Sequence, residues 1–231
     1  MTSVQIKQCA ATFFCVAQLI YSQVASAAEA DTKGFQGDIK KFQSAYFGSQ
    51  EPAVRQAILM DFNVKDSDIK ASEEGRSGMR ILDVNLTSFR PFDLPATVRY
   101  MFGYKCHCLN QVNVNWHLPE QISNDKRDLL LASVAELVKH LSERDWPNDQ
   151  VVTDRAIGDV KAGASLPFVY FRGVNTRNTV VLLSGEPVQI QPDKENAGKF
   201  SADFEKMRTL QLLYQLDSKN PDVRKINVEG F

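Results

Sequence analysis

Two stretches of strict alternation constrain this chain more than anything else in it. Val98, Tyr100, Phe102 and Tyr104 occupy even positions, and after a short gap Val112, Val114, Trp116 and Leu118 do the same, with Gln111, Asn113, Asn115 and His117 between them. Successive side chains of a strand point to opposite faces, so the pattern asks for one buried face and one wet face, as in half of an antiparallel sheet. Pairing Phe102 with Val112, Tyr100 with Val114 and Val98 with Trp116 keeps large side chains opposite each other, each pair contributing a few tenths to about 1 kcal/mol. This register puts the hairpin tip on His107 and turns Cys106 toward Cys108.

The flanking segments supply helices and a second hairpin. Phe35, Ile39, Phe42 and Tyr46 make one helical stripe, and Pro52, a good first-turn residue, opens a helix with Val54, Ile58 and Leu59 on one side. Asp61 to Gly78 is polar and reads as a loop turning at Glu73-Glu74-Gly75. A strand begins at Met79 with Ile81, Val84 and Leu86, and Pro91 and Pro95 end it. After Pro119 an amphipathic helix runs from Asn124 to Ser142 on Leu130, Val134, Leu137 and Leu141, widened by Leu131 and Val138, with Trp146-Pro147 closing it. Val151 to Ile157 reads as a strand. A hairpin of Pro167 to Val174 and Thr179 to Ser184 turns at Asn175-Thr176-Arg177-Asn178, since Asn tolerates the positive φ of tight turns. A short strand at Val188 to Ile190 follows. A last helix spans Ser201 to Leu216 with Phe204, Met207, Leu210, Leu213 and Tyr214 on one side, and Asp217 to Phe231 is a polar tail. Short turns between neighbouring strands favour antiparallel pairing. The expected fold is therefore α+β, an antiparallel sheet of two hairpins with helices packed on one face, in a single domain over 35–216.

The first residues carry an address. Lys7 precedes an apolar run from Cys9 to Tyr21, and the small residues Val24-Ala25-Ser26-Ala27 follow, with no acid before Glu29. Small side chains before the cut are what a signal peptidase accepts. Residues 1–27 thus read as a signal peptide cut between Ala27 and Ala28, and 28–34 as a linker. A membrane anchor needs about 20 continuous apolar residues, whereas this run is interrupted by Gln18 and ends at Ser22 and Gln23. The expected product is periplasmic or secreted, with no transmembrane anchor after processing. Removing the leader from the 231-residue chain takes away only Lys7 among the 27 basic residues, leaving 26 against 28 acidic ones. So balanced a surface argues against nucleic acid or an anionic membrane as partner.

Candidate chemistry centres on Cys106 and Cys108, the two cysteines that outlast the leader, since thiols in an oxidising compartment seldom stay free. On a straight strand residues i and i+2 lie about 7 Å apart, at the limit for a disulfide; at a bent tip the sulfurs can meet. The pair is read first as a candidate disulfide that pins the turn, then as buried free thiols, as a redox couple, or as a copper or zinc site. The metal option lacks a third ligand, because His107 points to the opposite face of a regular strand and His117 lies about 30 Å along the partner strand. No metal site and no cofactor are assigned. The acids around Asp61, Asn63, Asp66 and Asp68 lack the glycine and terminal glutamate of a calcium loop. No serine stands in a Gly-x-Ser-x-Gly setting. Tyr100, Phe102, Tyr104, Val112, Val114 and Trp116 line either the core or an apolar pocket. The functional expectation is a non-catalytic binding or assembly protein of the periplasm that recognises a protein partner or a small apolar ligand. The alternative is a thiol-disulfide or copper-handling protein using Cys106 and Cys108.

Overall fold

A computed structural model of the chain describes residues 39–147, 149–192 and 200–224. The leader, the cut at Ala27-Ala28, the linker and the first turn of the helix expected from Phe35 lie outside them. The elements, in chain order, are β1 (Lys41–Phe42), β2 (Ala45–Tyr46), α1 (Glu51–Phe62), a 3-10 turn (Asp66–Asp68), β3 (Ile69–Glu73), β4 (Arg80–Phe89), β5 (Leu94–Phe102), β6 (Leu109–His117), α2 (Asn124–Ser142), β7 (Val151–Ala156), β8 (Ser165–Val174), β9 (Val180–Pro192), β10 (Phe200–Asp203) and β11 (Thr209–Gln215). The fold is α+β with a large sheet. Nine strands run in the order β3-β4-β5-β6-β11-β9-β8-β7 with β10 on β9, every pair antiparallel, so two hairpins understate it. No helix among the described residues is long and apolar enough to cross a membrane.

The alternating hairpin forms with both faces as expected and its register displaced by two residues. Tyr100 stands opposite Val112, Val98 opposite Val114, and Ala96 opposite Trp116; near the tip a bulge brings Phe102 against Leu109. Because side chains repeat every two residues, a two-residue shift leaves every residue on its own face. The register observed places the largest ring of the pair across from the smallest side chain. That leaves Trp116 room to stack on Phe89 at 6.0 Å and to meet Phe92 edge-on at 4.9 Å, while its indole N–H donates to the Phe89 carbonyl at 3.0 Å.

Both helices contribute to the core that this face joins. Val54, Ala57 and Ile58 of α1 and Leu130, Val134 and Leu141 of α2 join one buried cluster with Val98, Tyr100, Val112, Val114, Trp116, Phe171, Leu183 and Leu210. Each Val, Leu, Ile or Phe among them contributes about 1.5–3 kcal/mol when fully buried. The bounds of α2 are those the sequence predicts. Ser123 caps it by accepting from Lys126 N–H at 3.5 Å, and Lys139 and His140 sit in the last turn, where the helix dipole favours cations. Trp146 then tucks back and donates to the Leu141 carbonyl at 2.7 Å.

Four expectations are corrected. The stripe Phe35-Ile39-Phe42-Tyr46 is not helical over its described part: Lys41 to Tyr46 makes a tight hairpin turning at Gln43, whose φ is 51°. Phe42 and Ala45 face the core from it, Phe42 against Tyr100 and Tyr214, whereas Tyr46 is exposed. The loop expected over Asp61 to Gly78 holds the 3-10 turn and the edge strand β3, whose only buried side chain is Ile69, too few to show a period. Its acids are structural: Asp68 accepts from Lys65 N–H, Asp66 pairs with Arg55, and Asp61 accepts from Ser44 N–H, each at 2.9 Å. The helix expected over Ser201 to Leu216 is instead β10 and β11. β11 lies between β6 and β9 and is hydrogen-bonded on both sides, with Leu210 and Leu212 buried and Gln211 donating to the Asn115 side chain at 2.9 Å. Bonding on two flanks to long strands overrides a helical spacing of apolar residues. Pro95, expected to end a strand, sits inside β5 beside the bulge between Leu86 and Phe89, where a missing N–H is tolerated.

Candidate functional site

The hairpin between β5 and β6 closes on the two cysteines. Gly103 N–H donates to the Cys108 carbonyl at 2.9 Å and His107 N–H to the Gly103 carbonyl at 3.0 Å, with His107 in the left-handed region at φ 50°. The bend draws the Cα atoms of Cys106 and Cys108 to 5.1 Å, and their sulfurs lie at disulfide distance, 2.08 Å. Cys106, His107 and Lys105 are exposed.

A single carboxylate from the far end of the chain clasps this tip. Lys105 N–H donates to Asp222 Oδ1 and Cys106 N–H to Oδ2, each at 2.9 Å, and Tyr104 N–H donates to the Asp222 carbonyl at 2.9 Å. Successive N–H groups converging on one acceptor form a small anion-holding concavity. A Cβ at Gly103 would run into the Asp222 carboxylate, so glycine is needed where the two segments touch. Arg224 lies over the Tyr104 ring at 5.2 Å and pairs with Glu73 at 3.0 Å, while its N–H donates to the Ser77 carbonyl at 2.7 Å. Gln50, ahead of α1, donates to the Cys106 carbonyl at 3.3 Å.

Beside the tip is a cavity of about 430 Å³ walled by Glu51, Arg80, Tyr104, His107 and Arg224. Hydrogen bonds from Arg80 first, and from Arg55, outweigh partial burial and hold the Glu51 carboxyl below the usual carboxylate range. Other histidines stand apart from the cysteines: His117 lies 3.1 Å from the Thr97 hydroxyl at the end of β6, and His140 is exposed on α2. Among the described residues there is no group of three or more His, Cys, Asp or Glu that could hold a metal ion.

The hairpin's aromatic face is core. Tyr100, Val112 and Val114 are 0 % exposed and Phe102 and Trp116 1 %, all within the buried cluster; Tyr104 alone is exposed, at the tip. Burial pushes the Tyr100 phenol up, with the Asp61 carboxylate adding to the effect.

An open groove lies at the other end of the same sheet, one that the sequence reading missed. It measures about 540 Å³ and runs between the β4–β5 turn and the start of α2. Phe92, Leu94, Ile122 and Leu129 line it together with the charged Asp93 and Lys126. Leu129 is 68 % exposed, whereas Leu130 beside it is 6 % exposed in the core. The available signal was the run Leu129-Leu130-Leu131, more leucine than one helical stripe can bury. Phe92 links the groove to the interior, since its ring lies edge-on to Trp116. No family model, no curated protein and no solved structure matches this chain.

Proposed function

We propose that this is an exported, non-catalytic binding protein whose apolar ligand or partner segment seats in the groove between the β4–β5 turn and α2. The observation that carries the reading is Leu129, a large side chain left 68 % exposed in the lining of a groove that also holds Phe92, Leu94 and Ile122. Covering such a side chain contributes about 1.5–3 kcal/mol. Phe92, Leu94 and Ile122 supply further surface of the same kind, and Asp93, Lys126, Ser123 and Gln121 give polar groups that orient a guest. Export to the periplasm or beyond rests on Lys7, the apolar run Cys9 to Tyr21 and the small residues before Ala28.

The test uses 1-anilinonaphthalene-8-sulfonate as an apolar probe. It should bind saturably, shift the Trp116 emission through Phe92, and lose binding in Leu129→Asp and Ile122→Asp variants whose circular dichroism is unchanged. Probe binding indifferent to both variants would sink the proposal. A thiol-disulfide or copper-handling role is the second reading, favoured by the exposure of the bridge at a hairpin tip. Rapid thiol exchange with glutathione, or stoichiometric copper(I) retention by the reduced protein, would support it.

A further inference from the structure

The segment after β11 reaches the hairpin tip in two stages. Leu216 N–H donates to the Asn110 carbonyl at 2.8 Å, and the Ser218 N–H and hydroxyl both donate to the Asn178 carbonyl at 2.9 Å, so the chain is tied to the sheet as far as Ser218. Beyond the turn at Asp217 to Asn220, the ties are the Asp222 clasp, the Arg224 N–H to Ser77, and the Arg224 side chain on Tyr104 and Glu73. The ion pair is exposed at both ends, 44 % and 58 %, and such pairs hold little. The Asp222 carboxylate, accepting from two backbone N–H groups, is the strong contact of this stretch.

That contact depends on how the tip is bent. Lys105 and Cys106 present N–H groups to one carboxylate because the chain curls, and the curl continues through His107 in a left-handed conformation that a side chain disfavours. The Cys106–Cys108 bridge holds the curl, with Cα atoms at 5.1 Å where an extended strand would set them about 7 Å apart.

We propose that the Cys106–Cys108 bridge is a redox latch for residues Pro221 to Arg224: closed, it holds the tip in the shape that captures Asp222; reduced, it releases them and opens the cavity that Arg224 and Tyr104 wall. The step balances with a dithiol as reductant. One of its thiolates attacks Cys106 or Cys108 sulfur to form a mixed disulfide, its second thiol displaces the protein sulfur, and the reagent leaves as a cyclic disulfide while two electrons and two protons convert the bridge to two thiols. Cys106 is exposed, so the attack needs no unfolding.

Hydrogen exchange read by mass spectrometry tests this on the purified protein with and without dithiothreitol, the thiols being counted by alkylation. Reduction should speed exchange about tenfold or more at the amides of Tyr104, Lys105, Cys106 and Arg224, leaving Leu216 and Ser218 unchanged. Cys106→Ser with Cys108→Ser should reproduce that pattern without reagent, and Asp222→Asn should free Arg224 with the bridge intact. Three results overturn the latch: a bridge that dithiothreitol does not open, protection at Arg224 that persists after both thiols are alkylated, or equal acceleration at Leu216 and Ser218.

Discussion

Ala96 faces Trp116 across the β5–β6 pair, and the methyl group is what admits the indole between Phe89 and Phe92. Ala96 is 2 % exposed and Trp116 1 %, so no solvent-side volume remains into which a larger residue at 96 can expand. Ala96→Leu should therefore cost about 1–3 kcal/mol by overpacking, read as a lower midpoint in urea with an unchanged slope. Trp116→Phe should lose about 1–3 kcal/mol for a different reason, since it strands the Phe89 carbonyl that the indole N–H serves.

A second prediction concerns acid. Glu51 accepts from both Arg80 and Arg55, which holds its carboxyl below the ordinary 4.5 of a glutamate. A carboxyl with a depressed folded value contributes stability that is complete above the unfolded value and is lost as pH falls through the folded one. Glu51→Gln should thus be less stable than the parent at neutral pH, and the gap should close as pH is lowered below 4.5. Thermal melts of both proteins between pH 7 and pH 3 check it. A gap that widens toward acid would contradict the assignment.

The third prediction lies where α2 meets β8. A Cβ on Gly173 would come within 2.7 Å of the Trp146 ring, whose N–H is already committed to the Leu141 carbonyl. The ring packs on Phe171 at 5.7 Å and cannot swing aside without giving up that bond. Gly173→Ala should cost about 1–3 kcal/mol although alanine is the smallest change available. Trp146 emission should shift with it.

What the sequence disclosed and what it hid divide along physical lines. The faces of the β5–β6 hairpin were legible because burial enforces parity; the register was not, because a two-residue slip preserves parity and the bulge beside Leu109 leaves no composition mark. Both ends of α2 could be read from Pro119 ahead of it, the stripe Leu130-Val134-Leu137-Leu141 and Trp146-Pro147 beyond it, all of them local signals. β11 was misread because it is paired on both flanks and carries Leu213 on the face opposite Leu210 and Leu212, so its alternation is broken and its spacing imitates a helix. The approach of Cys106 to Cys108 needs only a bend between neighbours. The clasp by Asp222 joins residues 116 apart, and nothing in the local pattern of either segment announces it.

The last prediction contrasts two neighbours. Leu129 and Leu130 have the same composition and helix propensity, and one position along α2 separates the groove from the core. Leu130→Ala removes atoms from the cluster shared by both helices and the sheet, and should cost about 2–5 kcal/mol through lost transfer energy and the cavity left behind. Leu129→Ala removes atoms that are mostly in water, so its stability should stay within about 0.5 kcal/mol of the parent. In probe binding the order reverses for a physical reason: a side chain that folding leaves uncovered is available to be covered by a guest, and only Leu129 has that surface to give. Leu129→Ala should weaken 1-anilinonaphthalene-8-sulfonate binding with an unchanged melting curve. If it instead melts early and binds the probe as the parent does, Leu129 belongs to the core and the groove is not a binding surface.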